Sequence, residues 1–146
     1  MSIWLQQQVE VATRGRGFYN CCSQVSEIVA CSGINTGICH LFLQHTSASL
    51  ILTENADPDV RTDLEAYFSR QVPDGGDHWK HSAEGADDMP AHIRSMWTGN
   101  DHSVPIRSGR LALGTWQGVY LWEHRFAAHQ RQLLITLNGT HESFVA

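Results

Sequence analysis

The sequence contains no hydrophobic run close to the roughly 20 apolar residues that a membrane-spanning helix needs, so a membrane is not an expected partner. It holds no basic run either. The formal net charge is −5, and the positive surface that nucleic-acid binding requires is missing. The opening stretch, MSIWLQQQVEVATRG, shows neither the basic region nor the apolar stretch of a signal peptide, and the expected location is the cytoplasm. Four cysteines, Cys21, Cys22, Cys31 and Cys39, form no CxxC or CxxxxC pair with a matching histidine pair downstream. That spacing argues against a finger-type zinc site and for reduced, buried thiols. Internal repeats and low-complexity tracts are lacking as well.

What is present fits one compact domain over residues 1–146, with 42% hydrophobic and 17% charged residues. Residues 3 to 13 alternate, Ile3, Leu5, Val9 and Val11 against Trp4, Gln6, Gln8 and Glu10, as a half-buried strand does. Asn20 is a candidate cap for a short helix carrying Val25, Ile28 and Val29, with Gly33 as its stop. Strands are expected from about Ile38 to His45 and from Leu50 to Thr53. Asp57 and Pro58 then open a helix whose Val60, Leu64 and Phe68 form one packing stripe. Residues 73 to 88 read as a long loop, and Asp88 to about Trp97 as a helix closed by Gly99. In the last third SVPIR, a Ser108–Gly109 turn, RLALGTW, GVYLWEHR and RQLLITLNG are strands, the final three expected to form a meander. The inferred class is α+β and strand-dominated: two packed, mostly antiparallel sheets, sandwich-like, with two or three peripheral helices.

Three stretches carry chemistry. In LFLQHTSASLILTENADPD, period two puts Leu41, Leu43 and His45 on one face, and Leu50, Leu52 and Glu54 on another, so an imidazole and a carboxylate are expected to enter one crevice. The bland alternative is a histidine at the edge of the core, satisfied by backbone. HWKHSAEGADDMPAH presents His78, His81, Glu84, Asp87, Asp88 and His92, donors suited to a divalent ion or to proton transfer. Its spacing is a weak signal, because HExxH is absent. GTWQGVYLWEHR places Thr115, Trp116 and Gln117 between Gly114 and Gly118, with Arg125 after the strand, a set suited to a phosphate or carboxylate.

Together, HTSASLILTENADPDVRTD, HSAEGADDMPAH and SGRLALGTWQGVYLWEHR resemble the YjbQ-like family, also labelled secondary thiamine-phosphate synthases, over roughly Leu5 to Gly139. The resemblance matches His45 with Thr46, Ser47 and Ser49; Glu54, Asn55, Asp57 and Asp63; His81, Glu84 and Gly85; His92; Thr115, Trp116, Gln117 and Glu123; and Arg131. The chain departs in reading GADDMPAH where many members are shorter. The resemblance implies a β-sandwich-like fold, a homotrimer, and a transferase that joins a pyrimidine methyl diphosphate to a thiazole ethyl phosphate and releases diphosphate. In that reaction Glu54, Asp57 and Glu84 would hold magnesium, and Arg125 and Arg131 would contact phosphate. The histidines suit this less well: His45, His81 and His92 favour zinc or manganese, with Glu54 or Glu84 as further ligands, or acid/base duty with Glu54. Thr46, Ser47, Ser49, Thr115 and Gln117 would bind the anionic metabolite. Two alternatives stand beside the synthase: a metal-dependent hydrolase of a phosphorylated metabolite, and a non-enzymatic binder of a small anion or metal.

Overall fold

A computed structural model describes residues 1–144. The elements run β1 (Ile3–Ala12), β2 (Gly17–Asn20), α1 (Cys22–Ser32), β3 (Thr36–Leu43), β4 (Ala48–Glu54), α2 (Pro58–Gln71), α3 (Asp88–Thr98), β5 (Asp101–Arg107), β6 (Arg110–Leu111), β7 (Gln117–Glu123) and β8 (Gln130–Thr140). They form a five-stranded sheet, β1-β8-β3-β5-β6, and a three-stranded sheet, β2-β7-β4. Every pairing is antiparallel. This is the strand-dominated two-sheet architecture with three helices. Among the described residues no helix is long and apolar enough to cross a membrane.

The core lies between the two sheets. Rows such as Leu5, Leu137, Cys39 and Val104 run across the large sheet, and they face Ala48, Leu50, Val119 and Leu121 of the small one, with Val25, Ile28 and Val29 of α1 closing one side. The outward residues of β7, Tyr120 and Trp122, are also buried. Their cover is α2, through the edge contact of Phe68 on Trp122 at 5.1 Å. Coverage on both faces explains why GVYLWE reads as a continuous apolar run.

Local signals hold at several ends. Gly33 closes α1 with φ 71°, and the Asp57 side chain accepts from the Asp59 N–H at the start of α2, with Pro58 in its first turn. Asn20 supports α1 from one position further out than expected: its Oδ1 accepts from the Cys22 N–H at 2.9 Å, while Cys21 is the cap residue. Ser108 (φ 53°) and Gly109 (φ 73°) make the two-residue hairpin turn between β5 and β6. Cys21 and Cys39 are buried, whereas Cys31 is exposed, and all four cysteines are free.

The meander does not form. β6 is two residues long and pairs with β5, β7 lies in the other sheet between β2 and β4, and β8 lies between β1 and β3. Alternation of apolar residues says which face of a strand is buried, but not which strand lies beside it.

Candidate functional site

Asp88 and His92 lie one turn apart at the start of α3, so both project from the same side of the helix. Loop 73–88 brings His81 to them. Asp88 Oδ2 is 2.5 Å from His81 Nε2 and 3.2 Å from His92 Nε2, and the three ligand atoms all lie within 4.8 Å of one another. Asp88 is 1% exposed. Its other oxygen, Oδ1, accepts from Arg125 Nη1 at 2.6 Å.

Arg125 also ties the loop down. Its Nε donates to Asp87 Oδ2 at 3.0 Å and its Nη2 to the Glu84 carbonyl at 2.8 Å, while the Phe126 N–H donates to Asp87 Oδ2 at 2.8 Å. Burial disfavours both carboxylates. The bonds from Phe126 and Arg125 outweigh it at Asp87, and the bond from His81 with the charge of Arg125 outweighs it at Asp88, so both acids sit below their ordinary range.

The proton on His92 can be assigned from its partners. Nδ1 is 2.8 Å from the Thr46 carbonyl, which can only accept, so Nδ1 carries the hydrogen. In the neutral ring Nε2 is then a bare lone pair facing a carboxylate oxygen. Two acceptors so close need a positive centre between them, either a second proton or a metal ion. A carbonyl holding the far nitrogen of an imidazole is also how metal-ligating histidines are commonly oriented.

His45 is not the third member of this group; Asp88 is. β3 ends at Leu43, and the His45 ring turns back onto β8, where Nε2 accepts from the Gln132 N–H at 2.7 Å. Burial first, and then the Arg131 charge, holds its pKa below the ordinary histidine value. His45 still shares a cavity of 460 Å³ with Thr46, His92, Ser95, Met96, Gly99 and Asn100.

Glu54 does not face His45. β3 and β4 belong to different sheets. In β4, Ala48 pairs with Glu123 near the histidines while Glu54 pairs with Gln117 at the opposite end, about 20 Å away at strand rise. Glu54 Oε2 instead accepts from the N–H groups of Ala56 (3.0 Å) and Asp57 (2.8 Å). Thr115 and Gln117 are exposed at that same far end, and Gln117 Oε1 accepts from the Gly114 N–H at 2.8 Å. The Glu84 side chain is exposed on the loop, with only its carbonyl engaged by Arg125.

Ser47 and Ser49 turn inward. Ser47 Oγ accepts from Arg131 Nη2 at 3.0 Å, and Ser49 Oγ is 2.6 Å from His124 Nε2 in a fully buried contact. Arg131 is 3% exposed and ion-paired with Glu123, which is 0% exposed. Both arginines expected to contact phosphate are therefore paired with carboxylates. In the sequence Asp88 stands among the candidate donors but not as the bridging residue; the signal for it is its spacing of four from His92 in a segment with helical pattern.

The chain matches the family model described as UPF0047 protein YjbQ-like over residues 7–140. A UPF0047 protein of Synechocystis sp. is 52% identical over 134 residues, 92% of this chain and 91% of that protein. The UPF0047 protein YjbQ of Escherichia coli is 44% identical over 138 residues, 94% and 99% of the two chains. Among solved structures, a protein of unknown function from Sulfolobus solfataricus superposes with a TM-score of 0.86 at 25% identity, covering 96% of this chain and all of that one. A conserved hypothetical protein from Thermus thermophilus gives 0.78 at 32% identity, over 88% and 97%. The family match spans both β-sheets and the His81–Asp88–His92 cluster, and the chain belongs to the UPF0047 YjbQ-like family.

Proposed function

We propose that the protein is a metal-dependent hydrolase of a small phosphorylated metabolite, with His81 Nε2, Asp88 Oδ2 and His92 Nε2 as the protein ligands of one divalent ion. The observation that carries this reading is the His92–Asp88 pair: an imidazole whose hydrogen is spent on the Thr46 carbonyl points its lone pair at a carboxylate oxygen 3.2 Å away. Two imidazoles and one carboxylate favour zinc or manganese over magnesium. Such an ion supplies Lewis acidity and lowers the pKa of bound water, and three protein ligands leave room for water and substrate. Arg125 orients Asp88, Thr46 orients His92, and the 460 Å³ cavity on the His92 side is large enough for a small metabolite.

The synthase reading has less support. A leaving diphosphate needs cationic neutralisation, and Arg125 and Arg131 are both paired with carboxylates. Four free cysteines suit a reducing cytoplasm. We also propose the homotrimer expected from the resemblance, supported by exposed Trp4, Ile38 and Phe42 on the outer face of the large sheet.

Elemental analysis of the purified protein, joined to phosphate-release assays on a panel of phosphomonoesters, tests the reading. One ion per chain is expected, lost in Asp88→Ala and His92→Ala, and release should proceed in water without any thiazole acceptor. Metal retained in both variants would sink the centre. Release that needs the acceptor would return the protein to the synthases, and binding without turnover would leave only a binding protein.

A further inference from the structure

Loop 73–88 encloses a cavity of 300 Å³ that is lined by His81 and shares no residue with the 460 Å³ cavity lined by His92. The centres of those two rings are 5.3 Å apart, so the cavities flank the ligand cluster from neighbouring sides. Their linings differ in kind. His45, Thr46, Ser95 and Asn100 make the His92 side polar. On the His81 side the walls are Trp79, Met89 and Pro90, small loop residues complete the lining, and Ser82 brings the one hydroxyl. Among the described residues no Asp, Glu, Lys or Arg side chain lines it. A charged group seated there would give up water without gaining a partner, whereas an apolar group gains by leaving water.

The walls are set before anything binds. The Gly75 N–H donates to the Ala86 carbonyl at 2.9 Å and closes the loop on itself. Trp79 Nε1 donates to the Gly75 carbonyl at 3.0 Å, so the indole spends its donor inside the loop and has only its ring to offer the cavity. The His78 ring packs against it, with centres 4.2 Å apart. Met89 and Pro90 are fixed separately, in the first turn of α3 directly after Asp88. Trp79 and Met89 are half-buried and Ser82 is exposed, so a dissolved ligand can reach the cavity.

We propose that this cavity is the specificity pocket of the site, holding the small uncharged apolar group, best a flat ring, of a phosphate monoester whose phosphoryl group lies at the ion and toward the polar cavity. The phosphoryl end rests on the hydrolase reading, whereas the pocket itself needs neither ion nor turnover. Trp79 and Met89 are then the residues that select the substrate. Polyhydroxylated esters are disfavoured, because their hydroxyls would lose water against Trp79, Met89 and Pro90 without replacement.

The test uses two non-hydrolysable probes, phenylphosphonate and methylphosphonate, titrated calorimetrically into the zinc-loaded protein. Phenylphosphonate should bind at least about tenfold more tightly, the worth of burying part of a ring. Trp79→Ala should bring the two affinities together. Trp79→Phe, which keeps a ring but not the indole donor, should retain most of the preference. Zinc affinity within a fewfold of wild type in both variants would show that the loop still folds around His81. In metal-stripped protein, benzyl alcohol should move the Trp79 indole N–H signal saturably, that signal being the one lost in Trp79→Phe. Equal affinities for the two phosphonates, a preference that survives Trp79→Ala, or an indole signal unmoved by benzyl alcohol would each overturn the pocket. A protein that binds neither phosphonate leaves the alcohol titration to decide. If ring preference and alcohol binding hold but no ester is hydrolysed, only the hydrolase reading falls; if esters are hydrolysed whatever their organic group, only the pocket does.

Discussion

At the scale of single residues, His124 shows how a buried imidazole sets a pH dependence. It is 0% exposed, lies tilted against Trp122 with ring centres 4.8 Å apart, and has no partner for Nδ1 among the described residues. Burial, then the charges of Arg94, Arg16 and Arg131, push its pKa well below 6.5. The unfolded chain accepts a proton near 6.5 that the folded chain refuses. Its contribution to stability is therefore complete above that pH and is lost progressively as pH falls toward the depressed folded value. His45 shifts in the same direction. Urea midpoints of metal-stripped protein should drop between about pH 7.5 and pH 5.5, before most carboxylates titrate, and His124→Gln should flatten that slope. Parallel slopes for variant and wild type would count against this account. Nothing in the sequence around WEHR marks His124 as buried, because the groups around it, Ser49 of β4, Arg94 of α3 and Arg16, come from distant parts of the chain.

At the scale of elements, loop 73–88 is held by arginines rather than by a large apolar anchor. Arg16 makes a paired contact with Asp74 at 2.7 and 2.8 Å, and Arg125 grips Asp87, Asp88 and the Glu84 carbonyl. Both arginines bridge the loop to the end of β7 and the residues after it. Arg125→Ala should speed hydrogen exchange across residues 75–86 and weaken metal binding by about ten- to a hundredfold, as loss of a residue orienting a ligand does. Arg125→Lys should not rescue either effect, because one ammonium cannot reproduce three donors in a fixed fork. Unchanged exchange in Arg125→Ala would mean the loop is held by something else. The loop itself was legible from PDGGDHWKHSAEGADD, with its glycines and acids and no apolar period. Its fastening was not, since Arg16 lies 58 positions from Asp74.

At the scale of the whole molecule, the large sheet covers its inner face with the core and leaves its outer face bare. Trp4, Asn138 and Ile38 line up across β1, β8 and β3, and Phe42 stands beside Leu134 two rows away. Trp4 is 72% exposed, Ile38 52% and Phe42 40%. Sedimentation equilibrium should give three times the 16.3 kDa chain mass, and the double variant Trp4→Glu, Phe42→Glu should fall toward one. A wild-type protein that sediments as a single chain would end the trimer proposal.

The sequence by itself determined what is written in short-range chemistry: alternation in β1 and β3, the Asp57–Pro58 start of α2, the Gly33 stop of α1, the Ser108–Gly109 turn, and the long acidic loop. It also marked the histidines, because imidazoles mixed with carboxylates are unusual in any loop. Only the tertiary structure decided partners. It sent β7 and β8 to different sheets, carried Glu54 to the far end of β4, put Asp88 between His81 and His92, and paired Arg131 with Glu123 inside the sandwich. The reason is physical. A period of two or of 3.6 fixes the side on which a residue is buried, whereas the neighbour it meets there depends on strand order and on which buried charge must find its opposite.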